Sequence, residues 1–184
     1  MPSGERRLTV AKAELLEAGS DARFRDLLYD LFAFGSRLED ARARFAAYIG
    51  LTPPQYLILI AVSRAALDSE IGVAQVAERV HLSGAFVTIE VNKLVKHGLI
   101  AKRPHSSDKR RVNLTVTSLG FEKLERLAAL QRPVNDALFA PLDRADFERL
   151  GQVMRDLANG ADQAIHLADH LIAIEGTQST ASGR

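Results

Sequence analysis

Apolar residues recur three, four and seven positions apart through Phe24, Leu28, Leu31, Leu38, Phe45 and Ile49, the spacing of one helix face. Ser20 stands ahead of this run as an N-cap, and Gly50 stands behind it as a stop. The residues before it, up to Gly19, read as weakly helical, with Leu8, Leu15 and Leu16 able to pack on something. Thr52-Pro53-Pro54-Gln55 opens a second helix: Thr52 caps, Pro53 takes the first helical position, and Gln55 closes a capping box. From Tyr56 to about Leu67 this helix is apolar nearly all round, which predicts burial.

Val73 to Val80 then reads as a two-turn amphipathic helix, followed by a tight turn at His81-Leu82. Ser83 caps a further helix to His97, and Gly98 falls where a left-handed terminating residue belongs. On that helix Val87, Val91, Leu94 and Val95 form an inward stripe, leaving Ala85, Thr88, Ile89, Asn92, Lys93 and Lys96 outside. Two short helices joined by a tight turn, the second with an exposed polar and basic face, are a helix-turn-helix pattern. Leu99–Arg103 and Arg111–Val116 read as two short strands around a turn-forming, basic segment from Pro104 to Arg110. Helix, helix, helix, hairpin is the order of a winged helix, far more specific than any one of its parts.

Thr117 caps the next helix, Leu119 to about Gln131, which Pro133 should break or kink, leaving a short segment Val134–Phe139. Asp143-Arg144-Ala145-Asp146 starts a long last helix. Its apolar residues Phe147, Leu150, Met154, Leu157, Ala161, Ala164, Ala168 and Leu171 fall three and four apart, as a helix-on-helix seam requires. The tail Gly176–Arg184 is small and polar, and is expected to be mobile. The fold expected is mainly α with a small β-hairpin wing. It comprises an N-terminal extension (1–19), a dimerisation helix (20–50), a winged helix-turn-helix lobe (51–116), C-terminal dimerisation helices (117–175) and the tail (176–184).

The lobe has a core of its own, so the apolar seams of the terminal helices must be buried elsewhere. Pairing across a two-fold axis does this and matches the two half-sites of a palindromic operator. The small Ala161, Ala164 and Ala168 suit a close approach of paired helices. An intramolecular bundle is the alternative.

Composition changes the picture in three places. The 184 residues are 47% apolar and 26% charged, ordinary for a chain that buries a core. With no cysteine there is no disulfide scaffold, thiolate zinc site or cysteine nucleophile. Net charge is only +1, yet Lys93, Lys96, Lys102, Arg103, Lys109, Arg110 and Arg111 lie together against the single acid Asp108. Such a stretch is either a confined phosphate-binding surface or a solvated charged face. A secretory signal and a membrane span are both absent from the pattern, which sets the cytoplasm as the expected compartment and no membrane as partner. A His-Glu-x-x-His helix, a phosphate-cradling glycine loop and a Gly-x-Ser-x-Gly elbow are also missing, so no enzyme and no cofactor is expected. His166 and His170 share a helix face beside Asp162 and Asp169, a spacing able to hold a metal but usual for polar surface, and no metal is assigned.

Residues Leu51 to Leu124 resemble the multiple antibiotic resistance regulator (MarR) family of transcription factors. The resemblance is carried by Leu51-Thr52-Pro53-Pro54-Gln55, Val73-Ala74-Gln75-Val76-Ala77-Glu78-Arg79, Ser83, Val87-Thr88, Val91, Leu94 and Gly98-Leu99-Ile100. It continues through Arg103-Pro104, Asp108-Lys109-Arg110-Arg111, Leu114, Thr117 and Gly120. The Asp-x-Arg wing signature with its downstream Thr and Gly is the most specific element; the terminal helices match in length and pattern only. The resemblance implies an obligate dimer with a recognition helix in the major groove and a wing-tip arginine in the adjacent minor groove. It makes Arg110 that arginine and Asp108 the carboxylate that orients it, and an arginine there reads groove width and potential. Arg103 and Arg111 are either further DNA contacts or cross-strand partners of Asp108. Lys93 and Lys96 are phosphate contacts or helix solubilisers. Ser83 is a cap able to reach phosphate, and Ala85 and Thr88 are small enough to let the helix sit deep. Asn92 shares the outward face, and Phe86 faces either DNA or the preceding helix.

The sequence departs from the family in three places: Ile89 replaces a more usual basic residue, Glu90 replaces an apolar one, and His81 replaces a turn glycine. Ile89 is suited to a thymine methyl, whereas Glu90 repels DNA if it faces phosphate. The family also implies an aromatic or phenolic acid, or a thioester-like ligand, between dimerisation helices and winged helix. Arg37, Phe45, Tyr48 and Tyr56 are the candidates to hold it, with core or interface packing as their other role. The expected function is a homodimeric, ligand-released repressor that binds duplex DNA. A winged-helix protein-interaction module without specific DNA binding is the alternative.

Overall fold

In the computed structural model, the residues described are 7–65, 71–104 and 112–181. They form α1 (Ala22–Tyr48), α2 (Pro53–Ala65), α3 (Val73–Val80), α4 (Gly84–Lys96), β1 (Ile100–Pro104), β2 (Val112–Val116), α5 (Ser118–Leu138) and α6 (Arg144–Ala181). The chain divides into two units, Met1–Asn135 and Asp136–Arg184. No single helix among the described residues is long and apolar enough to cross a membrane.

The first unit is built around α2. Ile58, Leu59 and Val62 of this helix are fully buried, and it packs against α1, α3, α4 and β2. Its start is the expected capping box: Gln55 Oε1 accepts from Thr52 N at 3.2 Å, and Thr52 Oγ1 from Gln55 N at 3.5 Å. Val76 of α3, Val87, Val91 and Leu94 of α4, and Leu99, Ile100 and Leu114 around the hairpin complete the core, each at most 1% exposed. The end of α1 joins it through Phe45, Ala46 and Ile49, and α5 through Leu127. Where α1 terminates, Gly50 takes the left-handed conformation (φ 72°) expected of it. Two cations from α5 satisfy the carbonyls freed there: Lys123 Nζ donates to Ile49 O at 2.8 Å and Arg126 Nη2 to Tyr48 O at 3.2 Å.

β1 and β2 pair antiparallel, with Ile100 opposite Val116 and Arg103 opposite Asn113. Pro104 closes β1 rather than belonging to the turn, and β2 begins at Val112. Ile71, ahead of α3, adds to β2: Leu114 N donates to Ile71 O at 2.8 Å, and Ile71 N to Asn113 Oδ1 at 2.9 Å. This pairing leaves no periodic trace in sequence.

Four expectations are corrected. α1 begins after Asp21, not Ser20, although Ser20 Oγ still accepts the first helical N–H, that of Ala22, at 3.3 Å. Asp21 instead turns its carboxylate back to Thr9, whose N and Oγ1 both donate to it at 2.7 Å, and to Arg25. The segment before α1 is therefore tied to it, with one short 3-10 turn at Ala13–Leu15 instead of a weak α-helix. Pro133 lies inside α5, which continues to Leu138. A proline forfeits one hydrogen bond to the preceding turn, and the helix runs through that loss. Finally, α6 extends to Ala181, past the helix end expected at 175.

Within the second unit, Asp143 caps α6 by accepting Asp146 N at 2.8 Å. At 38 residues α6 is roughly 57 Å long. Its apolar residues stay exposed, among them Phe147 (62%), Leu157 (56%) and Leu171 (54%).

Candidate nucleic-acid interface

The candidate surface begins at the turn between α3 and α4. His81 is left-handed there (φ 52°), the conformation for which glycine is the easier residue. Ser83 Oγ then accepts Phe86 N at 3.3 Å, capping α4 as expected. Val87, Val91 and Leu94 face the core while Val95 is half-buried. That leaves Ala85, Thr88, Ile89, Asn92, Lys93 and Lys96 exposed together. Phe86 is also exposed (39%), as is Ile89 (54%). Thr88 Oγ1 donates back to Gly84 O at 2.7 Å, so its methyl and its remaining acceptor capacity are what the surface offers.

The wing adjoins this helix. Lys102 of β1 donates through Nζ to Asn92 Oδ1 at 2.6 Å, linking the wing to the outward face of α4. Arg103 is exposed on the same strand. Arg110, Arg111 and the orienting Asp108 lie outside the described residues. The base of the wing is held by Thr117, which donates through Oγ1 to Gly98 O at 2.6 Å and accepts Gly120 N at 3.1 Å.

Glu90 does not face outward. It is buried (5% exposed), so a repulsion of phosphate by this side chain is corrected by the structure. Gln55 Nε2 donates to its Oε2 at 2.9 Å, and Lys93 Nζ to its Oε1 at 2.6 Å. The Lys93 hydrogen bond holds its carboxyl below the usual glutamate range, with help from Gln55 and against the opposing effect of burial. Sequence reading missed this cluster, though the signal was present: Glu90 falls on the stripe Val87, Val91, Leu94, and a charge on a buried stripe needs partners.

The candidate ligand residues are placed apart in role. Phe45 and Tyr56 are buried and meet edge to face, ring centroids 6.4 Å apart. The Tyr56 hydroxyl accepts from Gln131 Nε2 at 2.6 Å, and burial raises its pKa above the ordinary 10.0. Tyr48 is half exposed beneath the Arg126 guanidinium at 5.0 Å. Arg37 is exposed and pairs with Asp40 at 3.7 Å. His166 and His170 gather no metal-binding group among the described residues.

Comparison with known proteins agrees with this geometry. The model of the MarR family matches residues 49–111. The transcriptional repressor MdtR of Bacillus subtilis is 22% identical over 143 residues, which span 78% of this chain and 90% of that protein. The PcaV transcriptional regulator of Streptomyces coelicolor, solved with its natural ligand, is 25% identical with a TM-score of 0.53, covering 69% of this chain and 90% of its own. The S. aureus MepR–DNA complex shares the fold at 15% identity and a TM-score of 0.58, over 81% of this chain and 99% of its own. The resemblance to the MarR family therefore holds, and the fold is that of MarR-type winged helices.

Proposed function

We propose that this chain is a homodimeric transcription regulator that binds duplex DNA at a two-fold operator and is released by a small organic ligand. The observation that carries the reading is the composite surface of α4 and the wing. One exposed helix face bears Ala85, Thr88, Ile89, Asn92, Lys93 and Lys96, its N-terminus is capped by Ser83, and Lys102 and Arg103 stand beside it. Small residues on that face allow a helix to lie deep in the major groove, and Ile89 is an apolar reader for a thymine methyl. Lys96, Lys102 and Arg103 suit phosphate, while Arg110 and Arg111 supply the minor-groove and flanking charges.

Dimerisation is supported by the apolar residues of α6, which are exposed along the helix, and by Phe32 (73% exposed) and Tyr29 (71%) on α1. Effector release is supported by the named likeness to a regulator solved with its ligand. A ligand acts only through different affinities for two arrangements of the dimer.

The test is fluorescence anisotropy on the duplex upstream of the chain's own gene against a scrambled duplex, at two salt concentrations. Tight binding that prefers the upstream duplex, falls steeply with salt and weakens in Arg110→Ala is expected. For six or more phosphate contacts the loss between 50 and 200 mM salt is about 10³-fold or more. Equal, weak binding to both duplexes, indifferent to Arg110, would overturn the reading.

A further inference from the structure

Glu90 sits in the middle of the proposed reading helix, yet it is buried and bonded to two side chains. Its two partners come from different places. Gln55 belongs to the first turn of α2 and already serves that helix by accepting Thr52 N, so one side chain joins the α2 cap to the Glu90 carboxylate. Lys93 belongs to α4 itself, three residues on, with its side chain half exposed on the outward face. The carboxylate is thus anchored from the core side and holds the ammonium of a half-exposed lysine.

We propose that Glu90 is a positioning and specificity residue of the recognition helix. Its core-anchored carboxylate retains the Lys93 ammonium, so that Lys93 does not act as an independent phosphate charge. The proposal rests on the DNA-binding reading above and deepens it. Affinity for any duplex grows with each phosphate neutralised, whatever the sequence, whereas specificity is the excess of operator over non-specific binding. A lysine held by a buried carboxylate contributes little to the sequence-independent part. It remains a fixed donor at the surface, and the non-specific background is kept low.

The test uses the full-length protein and two substitutions. Glu90→Gln keeps the side-chain shape and an oxygen for Gln55 while removing the charge that holds Lys93. The expected result is tighter binding to a scrambled duplex at low salt and a smaller preference for the upstream duplex. The slope of log K against log salt should steepen by about 0.9 per subunit, hence about 1.8 for the dimer, a further loss of roughly tenfold between 50 and 200 mM salt. Glu90→Gln combined with Lys93→Ala should return the slope to that of the wild type, which a merely structural role for Glu90 would not do.

A second measurement needs no DNA: the carboxyl ¹³C resonance of Glu90, followed against pH, should titrate below free glutamate and move up in Lys93→Ala. An unmoved midpoint in Lys93→Ala overturns the pair itself. A moved midpoint with an unchanged salt slope in Glu90→Gln, in a protein whose wild type binds the upstream duplex, overturns the specificity role alone. A wild type without salt-sensitive binding overturns the regulator reading and this one with it.

Discussion

Gly120 offers the sharpest stability test of the fold. It is buried in the first turn of α5, where that helix crosses the strand entering the wing. A Cβ built there would lie 2.5 Å from Leu99 O and 2.6 Å from Val116 Cγ1. The first neighbour is backbone, and it is already fixed because Leu99 O accepts Thr117 N at 3.1 Å. Neither neighbour can swing away like the end of a long side chain, so α5 must move off the hairpin by several tenths of an ångström. Two contacts under 3.0 Å, one of them with fixed backbone, put the overpacking cost at about 2–3 kcal/mol, and the gain in helix propensity from Gly to Ala returns at most about 1 kcal/mol. Gly120→Ala should therefore destabilise by about 1–2 kcal/mol net. For a chain of this size that is a fall in Tm of roughly 2–8 °C. Circular dichroism melts and denaturant titrations at fixed protein concentration would measure it. Gly84→Ala is the control, since nothing lies within 4 Å of its added methyl, and its Tm should hold or rise slightly. A Gly120→Ala variant as stable as wild type would refute the packing argument.

Thr117→Ala removes the cap of α5 and the bond to Gly98 O together, and should cost about 1–2 kcal/mol by denaturant titration, whereas Thr117→Ser should keep most of it. Asp21 and Glu90 both have carboxyls held below their ordinary values, Asp21 chiefly by the Thr9 N–H and hydroxyl and Glu90 chiefly by Lys93. A depressed folded-state pKa means that the unfolded chain binds the proton first. Their contribution is therefore fully present above the ordinary 3.8 and 4.5 and is lost as pH falls through the lower folded values. Thr9→Val loses the hydroxyl but keeps the N–H, and should flatten the acid limb of a stability–pH curve only in part. Asp21→Asn should remove its whole share, and an unchanged limb in Asp21→Asn would remove Asp21 from the account. If α6 supplies the dimer seam, Leu157→Glu with Leu171→Glu should shift sedimentation from dimer toward monomer without loss of helicity; a dimer intact at micromolar concentration would place the interface elsewhere.

Much of this protein was legible from local rules. The Thr52 cap, the Val73–Val80 helix, the Ser83 cap, and the stops at Gly50 and Gly98 each depend on a few neighbouring residues, and each stands where the pattern put it. The outward face of α4 followed from the inward one, because a period of 3.6 assigns both at once. Turn chemistry and hydrophobic period carry the whole helix–helix–hairpin order, which was enough to expect a winged helix, and the wing residues added the resemblance to the MarR family.

Tertiary structure alone decided what depends on partners far along the chain. Glu90 reads as a surface acid by residue type; Lys93 is a neighbour on its own helix, but the core-side partner Gln55 stands 35 positions away and only folding brings it to the carboxylate. Asp21 reads as an ordinary helix-start acid until Thr9 is brought against it, and Ile71 joins β2 from 42 positions away. Pro133 shows the same limit from the other side: the local rule ends a helix at proline, but a lost hydrogen bond is one contribution among many, and α5 continues to Leu138. Local sequence determines how the backbone turns within a few residues, where the competing energies are all at hand. Which polar group is buried depends on the partners that packing brings from elsewhere, and no window of sequence contains them.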